Sequence, residues 1–364
     1  MITSQLENQK TVIENLVRKA ERNIASCEIA TVMQRRRVEL PQDDYSGFSL
    51  QTEYYNDLEV DEVINSLRSI GIYSQHYFDE NSFFNDFIRG ELPISPRRRL
   101  FVYASGHPGT DRARKALIPL FCSLNSIGTL NSPAYAEAIN RHKYHQYLIA
   151  AEAGLPMPES WYFRVGEGWL GERPPPGERV LAKPIGECAS VGLDKNSLFE
   201  FGEASDVFLE RRASELNQDF IVQEFVPGAE LETAILNLPD RFALLPVAIR
   251  RKSAHRPDEE DWLDYQAIYN EDYSFADPDG VEAQIIEQVR ALAVKAARYF
   301  EHGGISRIDM RICRRRGPLI IDISTTPHLV GHSSINYRFR TMGFQTPELF
   351  SALLATALDN NYGS

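Results

Sequence analysis

The sequence has few cysteines, no long apolar run and no excess of basic charge, and each shortage excludes a class of protein. Its four cysteines are scattered among 364 residues with no Cys-x-x-Cys pair, which excludes a disulfide scaffold and a cysteine-rich zinc site. No segment approaches the roughly 20 apolar residues that a membrane span needs, and the polar N-terminus lacks the apolar core of a signal peptide. We therefore expect a cytoplasmic protein.

The charge balance is acidic. The chain carries 39 lysines and arginines against 51 aspartates and glutamates, a net charge of −12, whereas a general nucleic-acid binder needs a basic excess. The short arginine clusters are then solvated turns or, alternatively, contacts to an acidic small molecule; they lie at 35–37, 97–99 and 314–316. We expect small-molecule substrates as partners, and no nucleic acid or membrane.

The first part of the chain alternates strand and helix patterns. An amphipathic helix is predicted over 4–24, a buried strand over 27–33, a helix over 57–72 and a second buried strand over 99–105. A helix with Thr110 or Asp111 as its N-cap follows. This alternation predicts a parallel α/β domain that ends near residue 128.

The second part combines strands with longer helices. One helix is predicted over 132–154 with Ser132 as its cap, and a long helix over 285–304. Strands are predicted over 179–185, 221–227, 230–236 and 244–250, before two more strands and a C-terminal helix. The predicted class is α/β, with domains over 1–128, 129–223 and 224–364.

Two acidic residues face each other in a predicted hairpin near the C-terminus. If the turn of 314–317 joins SRIDMRIC to PLIIDIS, Asp309 opposes Asp322 and Arg307 opposes Ser324. The same face then also carries Arg311 and Ile320. At an effective dielectric near 20, opposed carboxylates repel by roughly 3 kcal/mol.

Two interpretations explain how that repulsion is relieved. Asp309, Asp322 and the hydroxyl of Ser324 form a partial ligand set for Mg²⁺, which usually takes one or two carboxylates together with substrate phosphates. Alternatively, Arg307 and Arg311 form a solvated ion-pair ladder with Asp309. The hairpin alone favours neither interpretation.

Two further segments have features of a nucleotide site. AKPIGECASVG places Lys183 at a strand end before a loop of small residues, which suits phosphate binding although the Walker A spacing is absent. QEFVPGAELETAIL is an extended segment with apolar and acidic residues, which could bind adenine and ribose. It could equally be an edge strand whose carboxylates are solvated. The residues concerned there are Gln223, Glu224, Val226 and Glu230. Lys143 alone would be a helix-surface lysine.

In their order, these segments resemble the ATP-grasp superfamily, and within it the D-alanine–D-alanine ligase-like enzymes. The resemblance rests on AEAGLPMP, KPIGECASVG, QEFVPGAELETAIL, DYQAIY and SRIDMR and covers roughly 99–356. It implies an N-terminal α/β domain followed by two ATP-grasp subdomains that clamp ATP. It also implies a dimer formed through the N-terminal domain.

The resemblance implies a role for each matching residue. Lys143 and Lys183 would contact the α- and β-phosphates, and the loop through Ser190 would close over the γ-phosphate. Adenine would lie against Gln223, Glu224 and Val226, the ribose against Glu230, and Mg²⁺ against Asp309, Asp322 and Ser324. Arg307 would stabilise the acyl-transfer intermediate. The substrates would lie near Tyr269, His328, His332, Ser333 and Ser334.

Several positions depart from the family pattern. Asp322-Ile323-Ser324 replaces Glu-x-Asn, His328 replaces a glycine near the oxyanion, and Ile268 replaces a lysine for the γ-phosphate. The glycine-rich first loop and its glutamate are replaced by MQRRRVELPQDDYSG. These departures lie on the substrate side, so we expect substrates other than a pair of D-alanines.

The leading hypothesis is an ATP-dependent ligase that joins a carboxylate to the amine of an amino acid through an acyl phosphate, in dipeptide or natural-product assembly. Two alternatives remain at this point. One is a nucleotide-binding homologue without ligase activity, and the other is an interaction module built on the N-terminal helix.

Overall fold

The computed structural model of the chain describes residues 2–37, 45, 47–93, 95, 97–253 and 262–359. Its N-terminal part contains a parallel sheet with the strand order β2-β1-β3-β4. The strands are β1 (Cys27–Met33), β2 (Tyr73–Tyr77), β3 (Arg99–Ser105) and β4 (Gly128–Thr129), and the helices are α1 (Ile2–Asn23), α2 (Asp57–Ser69), α3 (Glu80–Arg89) and α4 (Leu117–Leu124). The parallel α/β arrangement expected for this part is confirmed.

Helices cover this sheet on both faces. Because side chains alternate along a strand, Ile29 and Met33 pack with α1 and α2 on one face, while Ala30 and Val32 pack with α3 and α4 on the other. The apolar face of α1 is buried in that core, with Ile13 fully buried. An interaction module built on this face is therefore not supported.

Two predicted helices differ from the structure. The helix predicted from Thr110 or Asp111 begins only at Leu117, because Asp111 instead accepts a hydrogen bond from the Ala113 amide in a turn. The helix predicted over 132–154 is two helices, α5 (Ala134–Ile139) and α6 (Lys143–Glu152). Ser132 does not cap α5; its hydroxyl donates to the Gly303 carbonyl.

The remaining strands form two antiparallel sheets. One has the order β6-β5-β9-β7-β8 and the other β13-β12-β10-β14-β15, with β11 paired to β10. Their bounds are β5 (Ser160–Arg164), β6 (Gly168–Trp169), β7 (Arg179–Pro184), β8 (Leu198–Glu200), β9 (Phe220–Glu224), β10 (Glu230–Leu236), β11 (Phe242–Ala243), β12 (Val247–Arg251), β13 (Tyr273–Ala276), β14 (Ile305–Cys313) and β15 (Gly317–Ser324).

Five more helices complete the description: α7 (Ser205–Leu216), α8 (Tyr265–Tyr269), α9 (Ala283–Tyr299), α10 (Ser334–Thr341) and α11 (Thr346–Asp359). The connection from β9 to β10 passes from one antiparallel sheet to the other. It turns at Gly228, whose φ is +142° and where a Cβ would lie 2.2 Å from the Ile312 carbonyl oxygen. Any side chain there would collide with backbone. Among the described residues, no helix combines the length and apolarity needed to cross a membrane.

Candidate active site

The hairpin of β14 and β15 brings the two predicted carboxylates together. Asp309 pairs with Asp322 and Arg307 with Ser324, as the sequence predicts. The register shifts after Asp309, however, so that Met310 pairs with Ile320 and the turn is one residue tighter than predicted. The irregularity turns Ile320 into the core; it therefore does not share the charged face.

The guanidinium of Arg307 binds both oxygens of Asp309. Its Nε and Nη2 atoms each donate over 2.8 Å, and its Nη1 atom lies 3.3 Å from Glu232 Oε2. Burial raises the pKa of Asp309, and the nearby carboxylates of Glu232 and Asp322 add to that effect although Arg307 opposes it. The hairpin therefore holds more negative charge than Arg307 alone compensates.

The ion-pair ladder exists only in part. Arg311 does not pair with Asp309 but donates to Glu230 over 3.1 Å through Nε and Nη2, and to the Val226 carbonyl over 3.1 Å. Within the part of the chain that the structure describes, no group of three or more His, Cys, Asp or Glu side chains has the geometry of a metal site. A divalent cation here would thus need ligands from a substrate as well.

Two lysines lie on the other side of Asp322. Because the helix is interrupted at 140–142, Lys143 lies in the first turn of α6. Its Nζ is 3.5 Å from Asp322 Oδ1. Lys183, near the end of β7, donates to Gln223 Oε1 over 3.0 Å and to the Ile321 carbonyl over 3.3 Å. Against the effect of burial, the two ammonium groups lower the pKa of Asp322.

The same crowding affects the lysines unequally. Burial lowers the pKa of Lys183 to about 8, with Lys143 as a further cationic neighbour and Asp322 opposing the shift. Burial opposes it, but the pKa of Lys143 is raised, because Asp322 acts together with Cys188 and Glu187. Lys183 is thus the cation of this pair that an added anion would stabilise most.

A cavity of about 180 Å³ lies between the two antiparallel sheets and contains ten of the predicted site residues. We refer to it as the nucleotide cavity. Those ten are Lys143, Lys183, Ser190, Gln223, Glu224, Val226, Glu230, Arg307, Asp309 and Asp322. Glu224 is paired with Arg316 and Glu230 with Arg311, so neither is a solvated edge carboxylate.

The loop that follows β7 forms one wall of the nucleotide cavity. Ala189 and Ser190 have φ values of 50° and 54°, a conformation that L-residues rarely adopt. The Ser190 hydroxyl donates to the Leu263 carbonyl over 2.9 Å. A Cβ on Gly192 would lie 2.4 Å from Pro184 Cγ, so the close return of the loop requires glycine.

A second cavity of about 180 Å³, the substrate cavity, opens on the other side of Arg307 and Asp322, which line both. It contains the predicted residues Ser324, His328, His332 and Ser333. His328 lies 4.6 Å from the Tyr55 ring and its Nε2 is 3.1 Å from the Glu53 carbonyl. Its φ is not in the left-handed region, so the strain expected of a positive φ does not arise.

The other predicted substrate residues have structural partners. Ser333 caps α10 by accepting a hydrogen bond from the Asn336 amide over 3.1 Å, and His332 Nε2 is 3.5 Å from Glu271. Tyr269 and Ser334 are not among the residues that line either cavity. The Tyr269 ring instead lies under the Arg36 guanidinium, 4.2 Å from its centre.

Comparisons with known proteins agree with this geometry. The family model of the D-Ala–D-Ala ligase C-terminus matches residues 177–355. A D-alanine–D-alanine ligase of Ralstonia nicotianae is 26% identical over 299 residues, which are 81% of this chain and 84% of that protein. The corresponding ligase of Mycolicibacterium smegmatis is 29% identical over 269 residues, 72% of this chain and 69% of its own.

The chain therefore resembles the D-alanine–D-alanine ligase-like ATP-grasp proteins, as expected from its motifs, through the match of residues 177–355 and through relatives that are 26–29% identical. It is accordingly an ATP-dependent carboxylate–amine ligase by class, as the resemblance implied.

Solved structures show the same ATP-grasp fold. The D-alanine–D-alanine ligase of Bacillus anthracis complexed with ATP has a TM-score of 0.65 at 13% identity, covering 92% of this chain and 98% of its own. The VanG D-Ala:D-Ser ligase of Enterococcus faecalis has a TM-score of 0.62 at 13% identity, covering 91% and 99%. The predicted fold class is confirmed.

Sequence reasoning missed a buried charge network beside the family site. Glu53 lies against Arg114, Arg141 and Lys115 at 3.4–3.5 Å, and Glu187 pairs with the two arginines. Although burial opposes it, these cations hold the pKa of Glu53 far below its usual value. The partners are up to 88 residues apart, so no local pattern in the sequence identifies them.

A second missed residue fixes the strand end that carries Ser324. Glu137 on α5 is 1% exposed and accepts hydrogen bonds of 2.6 Å from the hydroxyls of Thr325 and Thr326. The polar pair after Ser324 is therefore bound to α5, and Thr326 also lines the substrate cavity. In the sequence, the two adjacent threonines after Ser324 were the only indication that this segment needs a buried acceptor.

Proposed function

We propose that this protein activates a carboxylate with ATP to an acyl phosphate, which the amino group of an amino acid then attacks to form an amide. The observation that carries the proposal is the junction of the two cavities. Arg307 and Asp322 line both, so a phosphoryl group can pass from a nucleotide in one to a carboxylate in the other without leaving the protein.

The nucleotide cavity suits ATP in the charge of its lining, which includes Lys143, Lys183 and Arg307. We assign the α- and β-phosphates to Lys143 and Lys183, whose ammonium groups both approach Asp322. The loop through Ser190 closes over the γ-phosphate, and Gln223, Glu224 and Val226 lie where adenine would bind. Glu230 is assigned to the ribose, although its pairing with Arg311 orients it.

The residues of the hairpin fit Mg²⁺. Asp309 and Asp322 supply opposed carboxylates and Ser324 a hydroxyl. Burial raises the pKa of Asp309, and a bound cation would favour its charged form. Two carboxylates completed by phosphate oxygens and water are the usual environment of this ion. When bound, it supplies charge neutralisation for the transferring phosphoryl group.

The protein's own contribution to acyl transfer is electrostatic. Arg307 is held in place by its two hydrogen bonds to Asp309 and is assigned to the charge that develops on the acyl-transfer intermediate. His332 and Ser333 line the part of the substrate cavity where we place the carboxylate of the acceptor amino acid, and His328 is a further substrate-side residue. Ser334 and Tyr269 lie outside the cavity lining, so their substrate roles remain proposals from the family resemblance alone.

The substrates differ, in our proposal, from the two D-alanines named for the relatives. The substrate cavity is lined in part by N-terminal residues outside the family motifs, among them Glu53, Glu59 and Lys115. Part of the replaced first loop lies outside the described residues. Dipeptide or natural-product assembly is the setting that this divergence favours, and the cytoplasm is the proposed location.

The test is ADP release from ATP and Mg²⁺, measured over pairs of amino acids and small carboxylic acids. We expect release that requires one specific pair, with an amide product. ATP binding without release from any pair would instead support the second candidate, a nucleotide-binding homologue without ligase activity. That candidate is motivated by Ser324, His328 and Ile268, which depart from the family pattern.

We also propose that the protein is a homodimer joined through its N-terminal domain, within proposed domain limits of 1–128, 129–223 and 224–364. An exposed apolar stripe supports this, because Leu117, Leu120 and Leu124 along α4 are 47–76% exposed. A second copy would bury that stripe. Light scattering should give twice the chain mass for the wild type and a monomer for Leu120→Glu.

A further inference from the structure

A third carboxylate extends the row formed by Asp309 and Asp322. Glu232 on β10 is in register with Asp309 on β14, and it lines both the nucleotide cavity and the substrate cavity. The residue is only 5% exposed. Among the described residues, no group gives Oε2 a hydrogen bond, although Arg307 Nη1 lies 3.3 Å away.

An unbonded oxygen of this kind needs an explanation, because buried acceptors in native proteins are nearly always bonded. Two neighbouring carboxylates accept hydrogen bonds from an arginine, Asp309 from Arg307 and Glu230 from Arg311, whereas Glu232 Oε2 faces Arg307 Nη1 at 3.3 Å without a hydrogen bond. Arg307 directs its two best hydrogen bonds to Asp309 rather than to Glu232. Glu232 thus keeps a buried oxygen beside Arg307 that can accept a hydrogen bond from an incoming donor.

We propose that Glu232 binds the ammonium group of the amine substrate beside the acyl phosphate. This inference rests on the proposed ligase function and deepens it. An ammonium group bonded to Oε2 would lie next to the guanidinium that we assign to the acyl-transfer intermediate, so the nucleophile and the carbonyl carbon are adjacent. The acceptor is therefore a primary amine that carries positive charge, as an amino acid does.

The step balances without another reactant. The substrate nitrogen forms a bond to the carbonyl carbon of the acyl phosphate, and the bond from that carbon to the phosphate oxygen breaks. Of the two protons that the ammonium group loses, one leaves on hydrogen phosphate and the other is released to water. Glu232 itself undergoes no net change; its role is to hold the cationic group in place.

The test separates carboxylate activation from amine binding. Hydroxylamine traps an acyl phosphate as a hydroxamate. Because it is uncharged near pH 8, it does not need the Glu232 carboxylate to bind it. With ATP, Mg²⁺ and each amino acid of both configurations as donor, wild type and Glu232→Gln should form hydroxamate at rates within about twofold. With glycine, D-alanine and D-serine as acceptors, Glu232→Gln should raise the acceptor KM at least about tenfold.

Two further variants control the result. Glu232→Asp keeps the charge on a shorter arm and should recover part of the acceptor KM, and it replaces Glu232→Gln if that variant does not fold. Glu287→Gln removes a glutamate charge on α9, where the side chain is 52% exposed, and should behave as wild type.

Each other outcome overturns a distinct statement. Equal loss of hydroxamate and amide would mean that Glu232 only supports Arg307, and an unchanged acceptor KM would mean that it does not bind the amine. Either result contradicts the inference and leaves the ligase proposal intact. A wild-type protein that forms no hydroxamate with any donor would contradict the ligase proposal, and the inference with it.

Discussion

The nucleotide cavity and the substrate cavity have similar volumes but are built in different ways. The nucleotide cavity is formed by short motifs on two antiparallel sheets, each of which brings two or three site residues at once, as the hairpin does for Arg307 and Asp309. The substrate cavity draws residues from the N-terminal domain, from β10 and β14, and from the segment after β15.

The departures from the family pattern follow this difference in part, since Ser324 and His328 line the substrate cavity alone, whereas Ile268 and Asp322 line both cavities. Residues of a local motif keep their relative positions as long as one strand or turn is kept. The substrate side depends on how three parts of the chain pack, and one of the connections is the buried network around Glu53. We therefore expect changes in the nucleotide cavity to act on chemistry, and changes in that network to act on stability and substrate use.

The largest effect is expected from Asp309→Asn, because Asp309 lines the nucleotide cavity and also binds Arg307, which lines both cavities. The amide cannot supply the carboxylate that Mg²⁺ favours, and it weakens the hold on Arg307. We expect ADP formation to fall at least about 100-fold, since metal and charge stabilisation contribute several kcal/mol. Circular dichroism should show an unchanged fold. Turnover at the wild-type rate would contradict the assignment of Asp309.

The next largest effect is expected from Glu53→Gln. Removing one charge from a buried network leaves Arg114 and Arg141 with Glu187 alone and should lower the free energy of unfolding by about 3 kcal/mol. ATP affinity of the folded variant should stay within about twofold, because Glu53 does not line the nucleotide cavity. Denaturant unfolding and calorimetric titration measure the two quantities.

Glu287→Gln is the control, and it should change the free energy of unfolding by less than about 0.5 kcal/mol. A large loss of ATP affinity at normal stability would mean that the two cavities are not separable.

The same contrast decides what could be predicted from the sequence. The pairing of Asp309 with Asp322 was predictable because a hairpin is local and its side chains alternate. The register shift beyond Asp309 was not, since it is favoured by packing Ile320 into the core and by the bond from Lys183 to the Ile321 carbonyl. The break before Lys143 was likewise hidden, because helical periodicity continues through 132–154 while tertiary contacts hold the two helices apart.

Glu53 and Glu137 show most clearly that long-range contacts cannot be predicted from the sequence. Neither residue belongs to a recognisable motif in the sequence, and each acquires its role from partners more than 60 residues away. The roles that the family resemblance implies for individual residues stay predictions, although the structure brings fourteen of the sixteen to the walls of the two cavities.

The smallest expected effect is a pH dependence of ATP affinity that comes from Lys183 and concerns the nucleotide cavity alone. Burial lowers the pKa of Lys183 to about 8, so the free protein carries its ammonium charge below that pH and loses it above. Phosphate binding favours the charged form, and ATP affinity should therefore fall about tenfold between pH 7.5 and 9. Calorimetric titration in buffers of different ionisation enthalpy should also detect proton uptake on binding near pH 8. Lys183→Arg keeps its charge throughout this range, so its ATP affinity should be nearly independent of pH even if it is lower. A wild-type affinity that does not change over the range would mean that Lys183 does not contact the phosphates.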